Sequence, residues 1–456
     1  MTLLAFLLAL GVLITVHEWG HYRVAVACGV KVVTFAVGFG KPLIKWRARH
    51  PHPGQNTEFV IGFIPLGGYV KMLGEQGDDP SEVQSAAAFS QQPLWARALI
   101  VAAGPLANLL LAVCLYAATY WIGQYETQAT LSAPVVGSVA DAAGLRSGDT
   151  VVRMGTQSDS LEDVSSLEAL RWWLVQHDDV AVYLEVETAG RASTRLLHMP
   201  EVTNSGDSEQ VDAWQVRGLT SAWSRPVIGE VQPGLPASAA GLQRGDVVRR
   251  IDGQWIQDAS MLRLVVRASG AQQEPDSQVW EVLRNGQLLQ LNVTPELIKD
   301  GSHRMGRIGA QVGEAPAKVF VQSGVWNGLF RAMLQTWDVC KMTLTMLGRL
   351  LTGQASLDNL SGPLTMADYA GRSASLGLGA YLSYLALVSV SLGVFNLLPL
   401  PVLDGGHLLY YLYEACTGRP PSPEWRDVMQ RVGLTLVVAL MLFSIFNDVV
   451  HLGWLS

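Results

Sequence analysis

The sequence predicts a multi-domain protein with a polytopic α-helical membrane core of about four transmembrane helices and an inserted pair of mainly-β domains. The chain of 456 residues is 49% hydrophobic and only 16% charged, whereas soluble proteins carry about 25% charged residues. Long uncharged runs lie toward both ends, and a glycine-containing repeat lies between them. The net charge of −7 argues against a nucleic-acid partner, which would need a basic surface.

The apolar runs provide the candidate membrane helices. Residues 2–16, 98–125 and 373–403 contain no charged residue, and residues 432–447 are apolar up to Asp448. Because about 20 apolar residues span a bilayer, we predict three spans and a marginal fourth. A cleaved signal peptide is the alternative for the first run, but such a peptide begins with basic residues, and here the first Lys or Arg is Arg23.

Basic residues predict the orientation of the spans. Eight Lys and Arg residues lie between the first two predicted helices, and Arg419, Arg426 and Arg431 lie between the last two. The positive-inside rule places both connections in the cytoplasm. Residues 126–372 and both termini are then expected outside.

The predicted outer region contains an internal repeat. Residues 135–154 and 227–251 share an Ala-Gly-Leu, a Gly-Asp two residues later and a Val-Val-Arg. This pattern predicts a short helix ended by glycine, a tight turn and an apolar strand. Both copies resemble PDZ domains, which bind extended peptides by strand addition. Two generic small β domains are the alternative.

Residues 316–352 follow the repeats and predict an amphipathic helix. Its large apolar residues recur at helical spacing, with few charges between them: Trp326, Phe330, Met333, Leu334 and Trp337. This pattern is typical of a helix on the outer membrane surface. An ordinary core helix is the alternative.

The motif with the strongest chemical signal is His17-Glu18-Trp19-Gly20-His21. On a helix, positions i and i+4 share a face, so two imidazoles can bind one metal ion while the glutamate acts as a base. The motif follows an apolar run, where ionisable residues are costly and usually functional. The sequence therefore predicts a zinc site with a water-activating carboxylate.

A third protein ligand must come from a distant segment, because no Asp or Glu lies between Glu18 and Glu58 and a catalytic zinc needs three protein ligands. Asp404 is the best candidate, since prolines and glycines interrupt the third apolar run around it, and irregular backbone at membrane depth lines a cavity or is buried. On its own, Asp404 is equally compatible with a turn or cap residue. His407 is a weaker candidate ligand.

HEWGH and Asn-Leu-Leu-Pro-Leu-Pro-Val-Leu-Asp-Gly-Gly (396–406), together with residues 88–108, resemble the site-2 protease family of intramembrane zinc metalloproteases. The resemblance implies one Zn²⁺ bound by His17, His21 and Asp404, with Glu18 as general base. It also implies a membrane-associated β-hairpin between the first two helices, consistent with the strand-like residues 32–46 and 57–72. The residues assigned to substrate binding are Asn396, Pro399, Pro401, Gly67 and Gly68.

The family resemblance further implies regulated intramembrane proteolysis in the inner membrane of a bacterium. Expected substrates are single-pass membrane proteins: a pre-trimmed anti-sigma factor of an envelope stress response, and residual signal peptides. The PDZ-like domains would be periplasmic and would exclude substrates with bulky outer domains, while the active site would lie toward the cytoplasmic side. A zinc transporter and a catalytically inactive PDZ membrane adaptor are the alternatives.

These expectations divide the chain into five parts. Residues 1–125 and 371–456 form the two halves of the membrane core. The inserted parts are the first PDZ-like domain (126–221), the second PDZ-like domain (222–314) and an amphipathic helix with its connector (315–370).

Overall fold

The computed structural model describes residues 2–49, 54–74, 85–177, 180–188, 190–198, 214, 217–271, 276–300, 303–352 and 362–451. Part of the predicted connector, residues 353–361, therefore lies outside the described residues. The chain divides into two compact units. One unit combines Met1–Gln124 with Gln322–Ser456, and the other is Tyr125–Val321.

The described helices are distributed over both units. They are α1 (Thr2–Ala27), α2 (Leu94–Ile122), α3 (Val139–Ala142), α4 (Leu167–Gln176), α5 (Pro236–Ala239), α6 (Ala259–Ala268), α7 (Val325–Leu351), α8 (Pro363–Leu376), α9 (Leu378–Leu397), α10 (Asp404–Thr417) and α11 (Pro423–His451).

The strands lie mainly in the second unit. They are β1 (Val32–Arg47), β2 (Glu58–Met72), β3 (Gln124–Thr127), β4 (Thr150–Gln157), β5 (Ser160–Asp163), β6 (Val182–Thr188), β7 (Arg191–Leu197), β8 (Ile228–Val231), β9 (Val247–Ile251), β10 (Gln254–Trp255), β11 (Gln278–Arg284), β12 (Gln287–Val293), β13 (Glu296–Asp300), β14 (His303–Arg307), β15 (Ala310–Val312) and β16 (Lys318–Val321).

Four helices of the described chain are long and apolar enough to cross a membrane: α1, α2, α9 and residues 424–445 of α11. The span that the sequence marks as marginal therefore qualifies by length and composition. The third spanning helix, α9, is shorter than the predicted apolar run 373–403. The helix is interrupted at Gly377, where φ is 115°. Residues 373–376 consequently belong to α8 and not to the spanning helix.

Helices α1 and α2 approach closely because small residues meet at their interface. A Cβ added to Gly20 would lie 2.4 Å from the carbonyl oxygen of Ala103 and 2.8 Å from Cβ of Ala107. Such small residues allow membrane helices to pack backbone against backbone. This contact places the HEWGH segment of α1 directly against α2.

Strands β1 and β2 form an antiparallel pair, but the arrangement is more complex than the predicted hairpin. Each strand bends, so residues 34–37 pair with residues 58–61 on one side and with residues 68–71 on the other. Residues 42–47 pair along the far side of residues 58–62. Glycines with positive φ, Gly38 at 87° and Gly40 at 88°, allow the bend in β1. Residues 68–72 form one edge of the sheet, and residues 42–47 form the other.

The second unit contains two similar four-stranded antiparallel sheets, with strand orders β5-β4-β6-β7 and β10-β9-β11-β12. The repeat has the predicted local structure in both copies. The short helices α3 and α5 are followed by Gly144 (φ 78°) and Gly241 (φ 76°), and the turns before β4 and β9 contain glycines with φ of 91° and 96°. Each copy has its own buried apolar core.

Helix α7 confirms the later part of the predicted segment 316–352, but residues 318–321 form strand β16 and the helix begins only after Gly324. The burial of α7 distinguishes its two faces. Ala332 and Val339 are buried in a cluster that includes Ala112 and Tyr116 of α2. The predicted stripe of large apolar side chains points away from this contact, with Trp326 80% and Trp337 69% exposed. The exposed stripe argues against a buried core helix, and the position on the outer membrane surface stays a prediction.

Candidate metal centre

Three predicted ligands converge on one point within the unit formed by Met1–Gln124 and Gln322–Ser456. Nε2 of His17 lies 3.2 Å from Nε2 of His21. Oδ2 of Asp404 lies 3.2 Å from the first nitrogen and 3.5 Å from the second. Among the described residues, these three form the cluster of His, Cys, Asp and Glu side chains that could hold a metal ion. Almost four hundred residues of chain separate the carboxylate from the imidazoles.

The local folding of the chain explains how Asp404 reaches the histidines. Helix α9 ends at Leu397, and a tight turn containing Pro399 and Pro401 precedes α10, of which Asp404 is the first residue. Gly405 and Gly406 permit this turn, since a Cβ at either position would lie 2.1 to 2.3 Å from backbone oxygens of the turn. A carboxylate in the first turn of a helix is also favoured by the helix dipole.

The ring of His21 is fixed by helix α2. Its Nδ1 lies 2.8 Å from the carbonyl oxygen of Ile100, so Nδ1–H donates and the lone pair of a neutral ring is left on Nε2. Gly104 gives the ring its space, because an added Cβ there would lie 2.2 Å from Nε2 of His21. The histidine thus directs its metal-binding nitrogen toward Asp404.

The ring of His17 is held by Asn108, which is fully buried. Nδ2 of Asn108 lies 3.2 Å from Nδ1 of His17, while Oδ1 of Asn108 has no partner among the described residues. The oxygen and nitrogen of a carboxamide are assigned from hydrogen bonding. Rotating the amide by 180° lets Oδ1 accept Nδ1–H of His17 and leaves the Nε2 lone pair of His17 for a metal.

The separations fit a tetrahedral zinc ion. Zinc–nitrogen bonds of about 2.0 to 2.1 Å imply that neighbouring ligand atoms lie about 3.3 Å apart in a tetrahedron, and the observed separations are 3.2, 3.2 and 3.5 Å. In addition, Oδ2 of Asp404 is buried without a hydrogen-bond partner among the described residues. A buried, unpaired carboxylate oxygen facing two imidazole nitrogens is the donor set of a divalent cation.

Glu18 lies on α1 between the two histidines and is only 9% exposed. The sheet edge passes beside it, because a Cβ on Gly68 would lie 2.9 Å from Cγ of Glu18. Gly67 has a φ of 93° and lies against the ring of Phe39. The two predicted glycines are therefore near the centre, and only Gly68 directly adjoins Glu18.

The remaining predicted residues lie on the Asp404 side of the centre. Asn396 is half-buried in the last turn of α9, and its side chain makes no hydrogen bond within the described chain. Pro401 lies in the turn, close to Gly433 of α11. His407 is outside the three-ligand cluster, and its ring packs at 6.0 Å from the ring of Tyr410.

A family model for peptidase family M50 matches residues 5–440. The chain belongs to peptidase family M50. This finding confirms the resemblance to site-2 proteases. Regulator of sigma-E protease RseP of Escherichia coli is 37% identical over 98% of both chains, and protease RseP of Yersinia pestis is 36% identical over 98% of both.

A relative from Ralstonia nicotianae, whose name describes a zinc metalloprotease, is 40% identical over 99% of both chains. Together with the family match, these relatives identify the chain as a zinc metalloprotease with a zinc cofactor. The donor set of His17, His21 and Asp404 fits this cofactor.

Sequence reasoning missed the role of α2 in the site. Ile100, Gly104 and Asn108 recur every four residues, which places them on one helix face. The single carboxamide in an otherwise apolar span is the signal that could have revealed this face. The spacing alone could not indicate that this face meets α1.

Proposed function

We propose that this chain hydrolyses peptide bonds within the transmembrane segments of single-pass membrane proteins. The reacting centre consists of His17, His21 and Asp404 as zinc ligands, with Glu18 as general base. The observation that carries this proposal is the mutual separation of 3.2 to 3.5 Å among the three ligand atoms. The match to peptidase family M50 supports the same chemistry.

The residues divide the reaction between them. When bound, zinc supplies Lewis-acid activation of water and of the scissile carbonyl. The Glu18 carboxylate takes a proton from the attacking water and returns it to the leaving amine nitrogen. His17 and His21 are held by Asn108 and Ile100 so that their Nε2 atoms keep the geometry that the reaction needs.

The sheet edge beside Glu18 provides a way to hold an unwound substrate. A peptide bond in a helix is protected by the helix's own hydrogen bonds, so a substrate must be extended before cleavage. An extended segment can add to the edge at Gly68–Met72 by backbone hydrogen bonds. We assign Asn396, Pro399 and Pro401 to the other side of this extended substrate, where the side-chain amide of Asn396 suits a substrate carbonyl.

We further propose a location and a biological role. The chain resides in the inner membrane of a bacterium, with the repeats in the periplasm and the active site toward the cytoplasmic side. Residues 126–221 and 222–314 act as PDZ-like domains that exclude untrimmed substrates. The name of the Escherichia coli relative, regulator of sigma-E protease, supports an anti-sigma factor as one substrate. Residual signal peptides are the second proposed class of substrate.

The test uses full-length protein in detergent or nanodiscs, with a model membrane peptide as substrate. Glu18→Gln is expected to abolish turnover while zinc remains bound. Asp404→Ala is expected to lose both the bound zinc and the turnover. His407→Ala, which alters the alternative ligand, is expected to retain zinc. Unchanged cleavage by Glu18→Gln would contradict the assigned base.

The same protein, assayed with a chelator and also in proteoliposomes, addresses the alternative functions. An inactive adaptor would show no chelator-sensitive cleavage in the wild-type chain. A transporter would move zinc across proteoliposomes without cleaving the peptide. A transport path would need further polar residues in the spans, and two polar residues there, Asn108 of α2 and Asp448 of α11, already have structural roles. Asn108 contacts His17, and Asp448 accepts backbone N–H groups at the start of α8.

A further inference from the structure

We infer that the ion pair between Arg97 and Glu414 is a positioning device that sets the place of Asp404 in the metal centre. Nη2 of Arg97 lies 2.7 Å from Oε1 of Glu414, and Nη1 lies 3.4 Å from Oε2. Both side chains are only 19% exposed. The guanidinium also lies 5.2 Å from the ring centroid of Tyr411, so its position is defined on two sides.

The pair joins the helix that begins at Asp404 to the helix that holds the histidines. Arg97 is in the first turn of α2, and Glu414 is in the last turn of α10. Glu414 lies ten positions after Asp404 along α10, which corresponds to about 15 Å of helix. A rotation or a shift at the Glu414 end is therefore transmitted along the helix to Asp404.

Helix α10 needs such a contact because the chain before it is irregular. The turn at residues 398–403 contains two prolines, so α10 is not continuous with α9. The glycines that follow, Gly405 and Gly406, offer no side chain with which to fix the rotation of the helix. The Arg97–Glu414 pair supplies a specific contact at the opposite end.

Helix α2 thereby becomes a common reference for all three ligands, although it contributes none. Its Ile100 carbonyl holds His21, its Asn108 holds His17, and its Arg97 holds the helix of Asp404. A single rigid element that contacts both histidines and the helix of Asp404 keeps the separations of the three ligands constant. This is the arrangement that a preorganised metal site requires.

The chemistry of the pair suits this role. A bidentate arginine–carboxylate contact fixes orientation as well as distance, and lysine does not reproduce it. Because both groups are largely buried, removing one leaves a poorly solvated charge. A surface ion pair would not have this effect.

The test measures zinc affinity of the full-length protein by competition with a chelator, and it rests on the proposed metal site. Glu414→Gln preserves the shape of the side chain and removes its charge. Arg97→Lys keeps the charge and removes the bidentate guanidinium geometry. Each is expected to weaken zinc binding about tenfold, the lower end of the effect of altering outer contacts of a metal site. The charge exchange Arg97→Glu with Glu414→Arg is expected to restore part of the loss.

Asp368→Asn is the matched control, because its ion pair with Arg372 lies on the exposed face of α8. It is expected to leave zinc affinity unchanged. Thermal unfolding of each variant separates a positioning role from a general loss of stability: the positioning role predicts a loss of zinc affinity larger than any fall in the melting temperature of the zinc-free protein accounts for.

Zinc affinity within twofold of wild type in both Glu414→Gln and Arg97→Lys would overturn the inference. Loss of affinity only in proportion to a lowered melting temperature would overturn it too. A wild-type chain that binds no zinc at His17, His21 and Asp404 would instead refute the proposed function itself, so the two failures are distinguishable.

Discussion

At the scale of single residues, the geometry of the metal centre depends on missing side chains as much as on ligands. Gly104 leaves the space that the His21 ring occupies, and Gly20 lets α1 approach α2. A positive φ would be another reason for a glycine at these two positions, but neither residue has one. Their role is therefore steric, and it places the imidazoles against their partners on α2.

Gly104→Ala is expected to displace the His21 ring, because the new Cβ would lie 2.2 Å from Nε2. Zinc affinity, measured by chelator competition, should fall at least tenfold, in the range found when the support of a metal ligand is altered. Gly11→Ala on α1 is the control, since no atom lies within 4 Å of its added Cβ. Equal zinc affinity in both variants would contradict the steric role.

Asn108→Ala removes the hydrogen bond that orients His17 and is expected to lower zinc affinity about 10- to 100-fold. Asn108→Asp keeps an oxygen acceptor for Nδ1–H and should retain more affinity than Asn108→Ala. The comparison is made on full-length protein by isothermal titration. An alanine variant with wild-type affinity would exclude Asn108 from the support of the site.

The roles of site residues could be predicted where the residues lie close together in the sequence. The i and i+4 histidines with Glu18 between them share one helix face whatever the rest of the fold does. Asn108 and Ile100 were not predictable, because their role depends on which face of α2 meets α1. That face is decided by packing at Gly20 and Ala103, which the spacing of the ligands does not encode.

At the scale of elements, the two repeats use the same turn with different support. Asp149 and Asp246 each accept a backbone N–H three residues earlier, at 2.9 Å. Asp246 also pairs with Arg284, whereas Asp149 accepts the hydroxyl of Thr188. The second repeat therefore places a charged contact where the first has a neutral one.

This contact gives the second repeat a defined pH response. Burial alone would raise the pKa of Asp246, but hydrogen bonds from Arg284 and the Gln243 backbone outweigh it and hold the pKa below 3.8. A lowered folded-state pKa stabilises the repeat above the unfolded pKa, and this stability is lost as the pH falls through the folded pKa. The repeat should therefore keep this contribution at neutral pH and lose it below about pH 4.

Arg284→Leu is expected to cost about 2 kcal/mol of local stability at neutral pH and to move the acid-induced loss to higher pH. Hydrogen exchange of β9 and β11 in the full-length protein measures both effects. Arg153→Leu, which breaks a half-exposed pair with Glu185 in the first repeat, is the control and should change exchange little. Identical pH profiles for wild type and Arg284→Leu would contradict the assignment.

Most elements were predictable from sequence, and the exceptions have physical causes. The repeat elements follow from glycines at fixed positions, and the spans follow from apolar length. The bent pairing of β1 with β2 was not predictable, because it depends on Gly38 and Gly40 adopting positive φ. The break at Gly377 was hidden in a run without charged residues.

At the scale of the whole molecule, the sequence places the repeat region between two halves of one predicted membrane core. Residues 125–321 interrupt a unit that contains all three proposed ligands. Family membership follows from motifs distributed over both halves. The proposed substrate filter comes only from the family resemblance, since it depends on large parts of the molecule acting together.

Deletion of residues 126–310 is expected to allow cleavage of a substrate that still carries its outer domain, because the proposed filter is then absent. Cleavage is measured in membranes that contain trimmed or untrimmed substrate. Trimmed substrate should be cut by both proteins, which shows that the shortened chain is active. The filter hypothesis would fail if untrimmed substrate stayed intact while trimmed substrate was cut.

The most direct test of the account is X-ray absorption spectroscopy of the zinc-loaded full-length protein. The account predicts a first shell with two imidazole nitrogens at about 2.0 to 2.1 Å and carboxylate oxygen at about 2.0 to 2.2 Å. Asp404→Ala should remove the carboxylate or the metal. A shell containing sulfur at about 2.3 Å, from any of the four cysteines, or a shell without imidazole, would contradict the account.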